Sequence, residues 1–255
     1  MTVAGDAPAI TPRTSGMNAS GALRWAWLGT VEYERAWEIQ RQLSSARRNG
    51  SLAEDALLLL EHPPVYTLGR NTAAEHVPSG LEHLRTLGAA CHAVDRGGSV
   101  TFHGPGQLVA YPIVRLAEVF PIASAPRHGD VIRYLRALED ALCATCRTCG
   151  VPATPKPPYT GAWVGEEKLA SIGVKLSVGV TLHGVALNVT NDLGWFEHIV
   201  PCGISGCRVT GLGQLGARGH SPASLAPVLA AEIASALGRR PMAGLPLEDM
   251  EPAAV

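Results

Sequence analysis

Two residues in this chain combine reactive chemistry with a local context that could expose it. Cys202 stands in the run Pro201-Cys202-Gly203-Ile204-Ser205. A proline before it and a glycine after it make a stiff, short turn. Such a turn can present one side chain and free neighbouring amides to hold an oxyanion. A thiol placed there is a nucleophile once ionised. The same turn also suits a loop cysteine that acts as a small hydrophobe. Lys168 follows Glu166 and Glu167 at the entrance of the strand-like run Lys168-Leu169-Ala170-Ser171-Ile172-Gly173-Val174-Lys175. A lysine at a strand end is ordinarily a solvated charge. Beside a reactive thiol its ammonium would favour the thiolate, and the thiolate the ammonium.

A third segment could bind a ligand. Arg96-Gly97-Gly98-Ser99-Val100-Thr101-Phe102-His103-Gly104-Pro105-Gly106-Gln107 places two adjacent glycines beside a fixed cation and several hydrogen-bonding side chains. Glycine lets a backbone approach a ligand closely, and Arg96 offers a donor fork. The spacing fits neither a Walker phosphate loop nor a Rossmann fingerprint. A hairpin whose polar residues satisfy only its own backbone fits equally well, and His103 alone reads as a hydrogen-bonded core histidine.

Of the other cysteines, Cys143, Cys146 and Cys149 form a CxxCxxC run. Structural zinc wants four ligands, commonly two separated pairs, and helical spacing accounts for this run without a metal. Cys207 lacks the turn context of Cys202 and reads as structural. Six cysteines in 255 residues, with no export signal, read as reduced thiols rather than a disulfide framework.

These groups need a scaffold. With 46% hydrophobic residues the chain can bury one substantial core. A net charge of -1 excludes a global basic surface for nucleic acid. No apolar run reaches the length of a membrane span, and the first twenty residues lack the apolar block of a signal peptide. The expected organisation is a leader at 1–21, one catalytic domain at 22–240 and a loose tail at 241–255.

Strands are expected at Leu23–Leu28, Ala56–Leu60, Cys91–Val94, Gln107–Val114, Ala162–Val164, Lys168–Ser177 and Val180–Val189. Val65–Leu68 would continue the second of these beyond the Pro63-Pro64 kink. Helices are expected at Tyr33–Arg48, Asp130–Cys149 and Ser224–Leu237. In the second helix, Val131, Leu135, Leu138, Leu142 and Cys146 recur at spacings of three and four to make one apolar stripe. This order predicts an α+β domain, with a mixed, mostly antiparallel sheet flanked by helices.

Taken together, several motifs resemble the lipoyl(octanoyl) transferase family. Arg96 to Tyr111, RGGSVTFHGPGQLVAY, is similar to its signature, and Glu61 to Arg70, EHPPVYTLGR, to its first motif. KLASIGVK, TLHGVALNV and PCGIS are similar to its last three. The resemblance runs from about Leu23 to Leu237. It implies a fold like the catalytic domains of biotin and lipoate protein ligases. It implies that Cys202 carries the acyl group with Lys168 as its partner. It also implies a substrate pocket formed by Arg96, Gly97, Gly98, Ser99, Val100, Thr101, Phe102 and His103, by Ser171, Ile172 and Gly173, and by Gly184, Val185 and Ala186.

The implied activity is octanoyl transfer from octanoyl-acyl carrier protein, through a cysteine thioester, to a lysine of a lipoyl domain. Such domains occur in the E2 subunits of 2-oxoacid dehydrogenases and in the H protein of glycine cleavage. This would be the first step of endogenous lipoate assembly in the cytoplasm, with no membrane or nucleic-acid partner. Thioester to amide is downhill, so neither ATP nor a metal is expected, and 4'-phosphopantetheine arrives on the carrier. Burying seven apolar carbons offers about 5 to 6 kcal/mol, and the glycines at 97, 98, 173 and 184 would let an extended chain lie against backbone. Arg127, His128, Arg133 and Arg136 are candidates to meet an acidic carrier, although a solvated helix face fits them too. Two readings compete. An ATP-dependent lipoate or biotin ligase would need a nucleotide site and no nucleophilic cysteine. A non-catalytic carrier-binding protein would need neither Lys168 nor Cys202.

Overall fold

The computed structural model describes residues 21–125 and 128–247. In chain order the first strands are β1 (Ala22–Thr30), β2 (Asp55–Glu61), β3 (Val65–Leu68), β4 (Ala90–Ala93), β5 (Val100–His103) and β6 (Gln107–Ile113). They are followed by β7 (Thr154–Lys156), β8 (Tyr159–Val164), β9 (Glu167–Ser177), β10 (Val180–Asn188), β11 (Arg208–Val209) and β12 (Arg240–Ala243). The helices are α1 (Tyr33–Asn49), α2 (Gly80–Thr86), α3 (Leu116–Val119), α4 (Val131–Thr148) and α5 (Pro222–Ala236).

Nine strands build the main sheet in the order β12-β1-β2-β6-β10-β9-β8-β7, with β11 beside β9. β1 pairs in parallel with β2 and β12, and β11 in parallel with β9; the remaining pairs are antiparallel. The expected mixed, mostly antiparallel sheet flanked by helices is what the chain forms. β2 shows why it is buried on both faces. Leu57 and Leu59 enter the core under α4 and α5, and Leu58 and Leu60 enter the core under α1, as a period of two requires.

The long helices follow local chemistry. The Asp130 side chain accepts from the Arg133 amide at the start of α4. Gly50, in the left-handed region, closes α1.

Three expectations need correction. β3 does not continue β2. Pro63-Pro64 turns the chain out of the main sheet, and β3 instead pairs with β4 and β5 in a small separate sheet. The glycine-rich run is not all loop, because Val100–His103 is β5. The expected tail from 241 meets a strand, with Pro241, Met242 and Ala243 paired beside β1 and Leu245 buried. The expected leader at 1–20 and the rest of the tail at 248–255 lie outside the described residues. Among the described residues no helix is long and apolar enough to cross a membrane.

Candidate active site

β9 supplies the lysine. Its first residues place Lys168 at 4% exposure, so the amine is not a solvated surface charge. β11 brings the cysteine to it. Arg208 and Val209 pair in parallel with Glu167 and Lys168, and the Thr210 amide donates to the Lys168 carbonyl at 3.0 Å. The turn that precedes β11 therefore folds back over the β9 entrance. Within it, Cys202 adopts φ 58°, ψ 13°, a left-handed conformation that a side chain rarely takes.

Lys168 Nζ donates to Cys202 Sγ at 3.3 Å and to the Thr160 carbonyl at 3.0 Å. It also lies 5.1 Å from the centre of the Trp163 ring, a cation–π position. Ser171 Oγ is 3.8 Å from the sulfur. Two of the turn's amides are not free to hold an oxyanion. The Gly203 amide donates to the Val200 carbonyl and the Ile204 amide to the Pro201 carbonyl. The Lys168 ammonium has three donors, of which two are engaged by Thr160 and Cys202. His76 walls the turn: a Cβ at Gly203 would lie 2.9 Å from its ring, and its Nδ1 accepts from the Ala73 amide and the Ser99 hydroxyl.

Both residues open onto a cavity of about 560 Å³, the size of a small-molecule site. Most of the expected pocket residues line it: Arg96, Gly97, Gly98, Ser99, Thr101 and His103, then Ser171, Ile172 and Gly173, then Gly184, Val185 and Ala186. Val100 and Phe102 do not. On β5 alternate side chains face opposite ways, and these two pack with Tyr66 and Phe196 in a separate core.

Two expected roles change in detail. The Arg96 fork is not offered to a ligand. Its Nη1 donates to the Gly97 and Ser99 carbonyls and its Nη2 to the Thr67 carbonyl and hydroxyl, so it pins the loop. Gly173 and Gly184 admit protein neighbours. A Cβ at Gly173 would lie 2.9 Å from the Arg96 side chain, and one at Gly184 would lie 2.1 Å from the Ala110 carbonyl.

Beyond the expected pocket residues, the cavity has a further wall. Tyr33 of α1, Tyr111 of β6 and His183 of β10 line it with His103. His183 sits in the left-handed region at φ 57°, in the middle of a strand, and its amide donates to Gln40 Oε1 at 2.7 Å. Burial pushes His183 down to about 4, although Asp95 opposes this, so the ring is neutral at pH 7. It therefore donates from Nε2 to Asp95 at 2.9 Å and presents Nδ1 toward the Tyr33 hydroxyl. Burial likewise holds His62 at about 4 and His103 at about 3. His62 donates from Nδ1 to the Val31 carbonyl and accepts from the Tyr111 hydroxyl, and His103 donates from Nδ1 to Gln107 Oε1. His103 is thus both a hydrogen-bonded core histidine and a cavity wall.

The remaining candidates fall elsewhere. Cys143 and Cys146 are buried in the core under α4, and burial raises the first to about 11 and the second to about 12. They act as small hydrophobes, with Cys149 at the helix end. Of the basic group, Arg127 lies outside the described residues and His128 is exposed. Arg133 stacks on Phe120 at 4.8 Å, and Arg136 pairs with Glu139 at 2.6 Å.

The family model of the lipoyl protein ligase A/B catalytic domain matches residues 32–234. The chain belongs to that family. Proteins named octanoyltransferase are among its relatives within the family. The one from Solibacter usitatus is 49% identical over 191 residues, covering 75% of this chain and 82% of its own. The one from Chloroflexus aggregans is 43% identical over 222 residues, covering 86% and 96%. Solved lipoate ligases share the fold at low identity. A bipartite lipoate protein ligase of Thermoplasma acidophilum, studied with its E2 lipoyl domain, superposes with a TM-score of 0.65 at 17% identity, covering 90% of this chain and 89% of its own. A lipoate-protein ligase A bound with ATP gives 0.65 at 16%, covering 90% and 91%.

Proposed function

We propose that the chain is an octanoyltransferase that moves an octanoyl group from octanoyl-acyl carrier protein to a lysine of a lipoyl domain, by way of a thioester on Cys202. The names of its relatives support octanoyl transfer. The observation that carries the covalent route is the 3.3 Å contact between Lys168 Nζ and Cys202 Sγ on the wall of the cavity.

The dimensions suit the substrate. Ala186 pairs with Ser171, beside the sulfur, and His183 pairs with Val174. Three residues of strand span about 10 Å. An extended octanoyl chain measures about 9 Å from carbonyl carbon to methyl. Bound as a thioester at Cys202, it would run along β9 and β10 and end against Tyr33 and His183.

The proton balance closes over two half-reactions. The Cys202 thiolate attacks the carrier thioester, and the Lys168 ammonium faces the developing oxyanion. The carrier thiolate leaves with a proton from Lys168, which becomes neutral. The acceptor lysine, entering as an amine, then attacks octanoyl-Cys202. Lys168 takes the amine's proton as the sulfur leaves, and the thiolate–ammonium pair is restored. An amide replaces a thioester, so the reading requires neither ATP nor a metal. It includes lipoyl domains of 2-oxoacid dehydrogenase E2 subunits and of the glycine cleavage H protein as acceptors. It also includes a cytoplasmic location, which suits six unpaired cysteines.

The test is transfer from octanoyl-acyl carrier protein to an isolated lipoyl domain, read as the mass gain of the acceptor. Transfer without ATP supports this reading. Transfer that starts only when free octanoate and ATP are supplied would make the chain a ligase.

A further inference from the structure

Glu139 is a charged residue on the inner face of α4, with 0% exposure. Its neighbours Leu138 and Leu142 belong to the core, and an apolar side chain would satisfy packing there. A carboxylate is retained only with partners, and it has two. Oε2 accepts from Arg136, whose own side chain reaches solvent. Oε1 accepts from the Gly161 amide at 3.0 Å.

That second bond reaches the active site. The Gly161 N–H belongs to the same peptide unit as the Thr160 carbonyl, and this carbonyl accepts from Lys168 Nζ at 3.0 Å. A peptide unit is planar, so holding its N–H fixes where its C=O points. Drawing the N–H toward a carboxylate also polarises the unit and strengthens its oxygen as an acceptor. The peptide itself sits where only glycine fits. Gly161 has φ 131°, and a Cβ would lie 2.4 Å from the Ala170 carbonyl and 3.1 Å from Lys168 Cε. The main-chain bond pattern is irregular here, with a register shift between Ala162 and Trp163 in the pairing of β8 with β9.

We propose that Glu139 is a positioning residue for Lys168, acting through the Thr160–Gly161 peptide. The ammonium has three donors. One is held by Thr160 and one by Cys202, and this directs the third into the cavity, where the oxyanion forms. The proposal rests on the reading of Lys168 and Cys202 as the reactive pair.

The experiment is site-resolved alkylation of Cys202 by iodoacetamide, followed by peptide mass spectrometry across pH. It is paired with the steady-state kinetics of octanoyl transfer and with melting temperature. Glu139→Gln keeps an acceptor for the Gly161 amide and alkylates within about threefold of wild type. Glu139→Leu removes the acceptor; at pH 7 alkylation slows about 10- to 100-fold, the range of a lost hydrogen bond to a charged group. Raising the pH restores the rate, and kcat falls while KM for the octanoyl carrier is unchanged. Glu139→Asp, which withdraws the carboxylate by one methylene, gives an intermediate loss and serves if the leucine variant does not fold. A folded Leu or Asp variant that alkylates at the wild-type rate at every pH would overturn the proposal. Alkylation needs no acyl substrate, so an error in the substrate leaves this test intact. A Lys168→Met control that leaves Cys202 unaffected would overturn the reading of the pair itself.

Discussion

Lys168 and Cys202 are 34 residues apart in sequence, yet their functional atoms lie 3.3 Å apart, because β11 pairs with the entrance of β9. The lysine is buried against Trp163 and the Thr160 carbonyl, while the cysteine is held in a left-handed turn. Neither side chain has to travel to form the pair. This arrangement suits two half-reactions that need the same lysine first as a proton donor and then as an acceptor.

Replacing Lys168 should separate these roles. Lys168→Met should lower kcat of the full reaction about 10²- to 10⁴-fold, the usual worth of a positioned acid–base group. Lys168→Arg keeps a cation but cannot give up its proton. It should retain more of the acylation of Cys202 than of the transfer to the lipoyl domain. Single-turnover measurements of each half-reaction check this split.

The far end of the cavity should set the acyl length. His183→Ala removes the ring that faces an eight-carbon chain and leaves the Cys202 end untouched. Against acyl carriers of six to twelve carbons, wild type should peak at eight. The variant should shift its optimum to ten or twelve. Each additional buried methylene contributes about 0.8 kcal/mol, or roughly fourfold in kcat/KM.

The buried histidines make a pH prediction for stability. Burial lowers His62 and His183 to about 4 and His103 to about 3, against about 6.5 in the unfolded chain. Between pH 6.5 and 4 the unfolded state binds protons that the folded state refuses, so stability rises with pH there and falls on acidification. The loss should be on the order of 1 kcal/mol per pH unit for each histidine. The stability is present in full above pH 6.5, and its loss below that pH is measurable by urea denaturation. His62→Phe should flatten the slope.

Phe102 tests the two faces of β5. It stacks on Trp195 at 5.1 Å and packs with Phe196, on the side away from the cavity. Phe102→Ala should cost about 3 to 5 kcal/mol of stability, with KM for the octanoyl carrier unchanged in the folded fraction. Thr101, its neighbour on the cavity side, should show the opposite balance when enlarged to Met.

Where one local signal dominated, the sequence was readable. The stripe from Val131 to Cys146 made α4 plain, and the apolar run Ala56–Leu60 made β2 plain. Cys202 and Lys168 drew notice through their turn and strand contexts, but their pairing came only from the resemblance. β5 was hidden because Gly97-Gly98 and Gly104-Pro105 bracket it, so four strand residues read as loop. The partnership of β3 was hidden because two prolines do not say which sheet the chain joins next. Tyr33 and Glu139 carry no local signal, and His183 sits in the motif TLHGVALNV with nothing local to mark it as a cavity wall. Each belongs to a helix or strand whose period explains it, and only the packing of α1, β10 and α4 around the cavity gives it a role. The motif ran through Val100 and Phe102, but the alternation of β5 turned both away from the cavity.

The most direct test of the account is the intact mass of the protein after mixing with octanoyl-acyl carrier protein in the absence of ATP, for wild type and Cys202→Ser. The account predicts a single octanoyl adduct on wild type that hydroxylamine removes, and none on the variant. An unmodified wild-type mass, or an adduct that persists in Cys202→Ser, would contradict it.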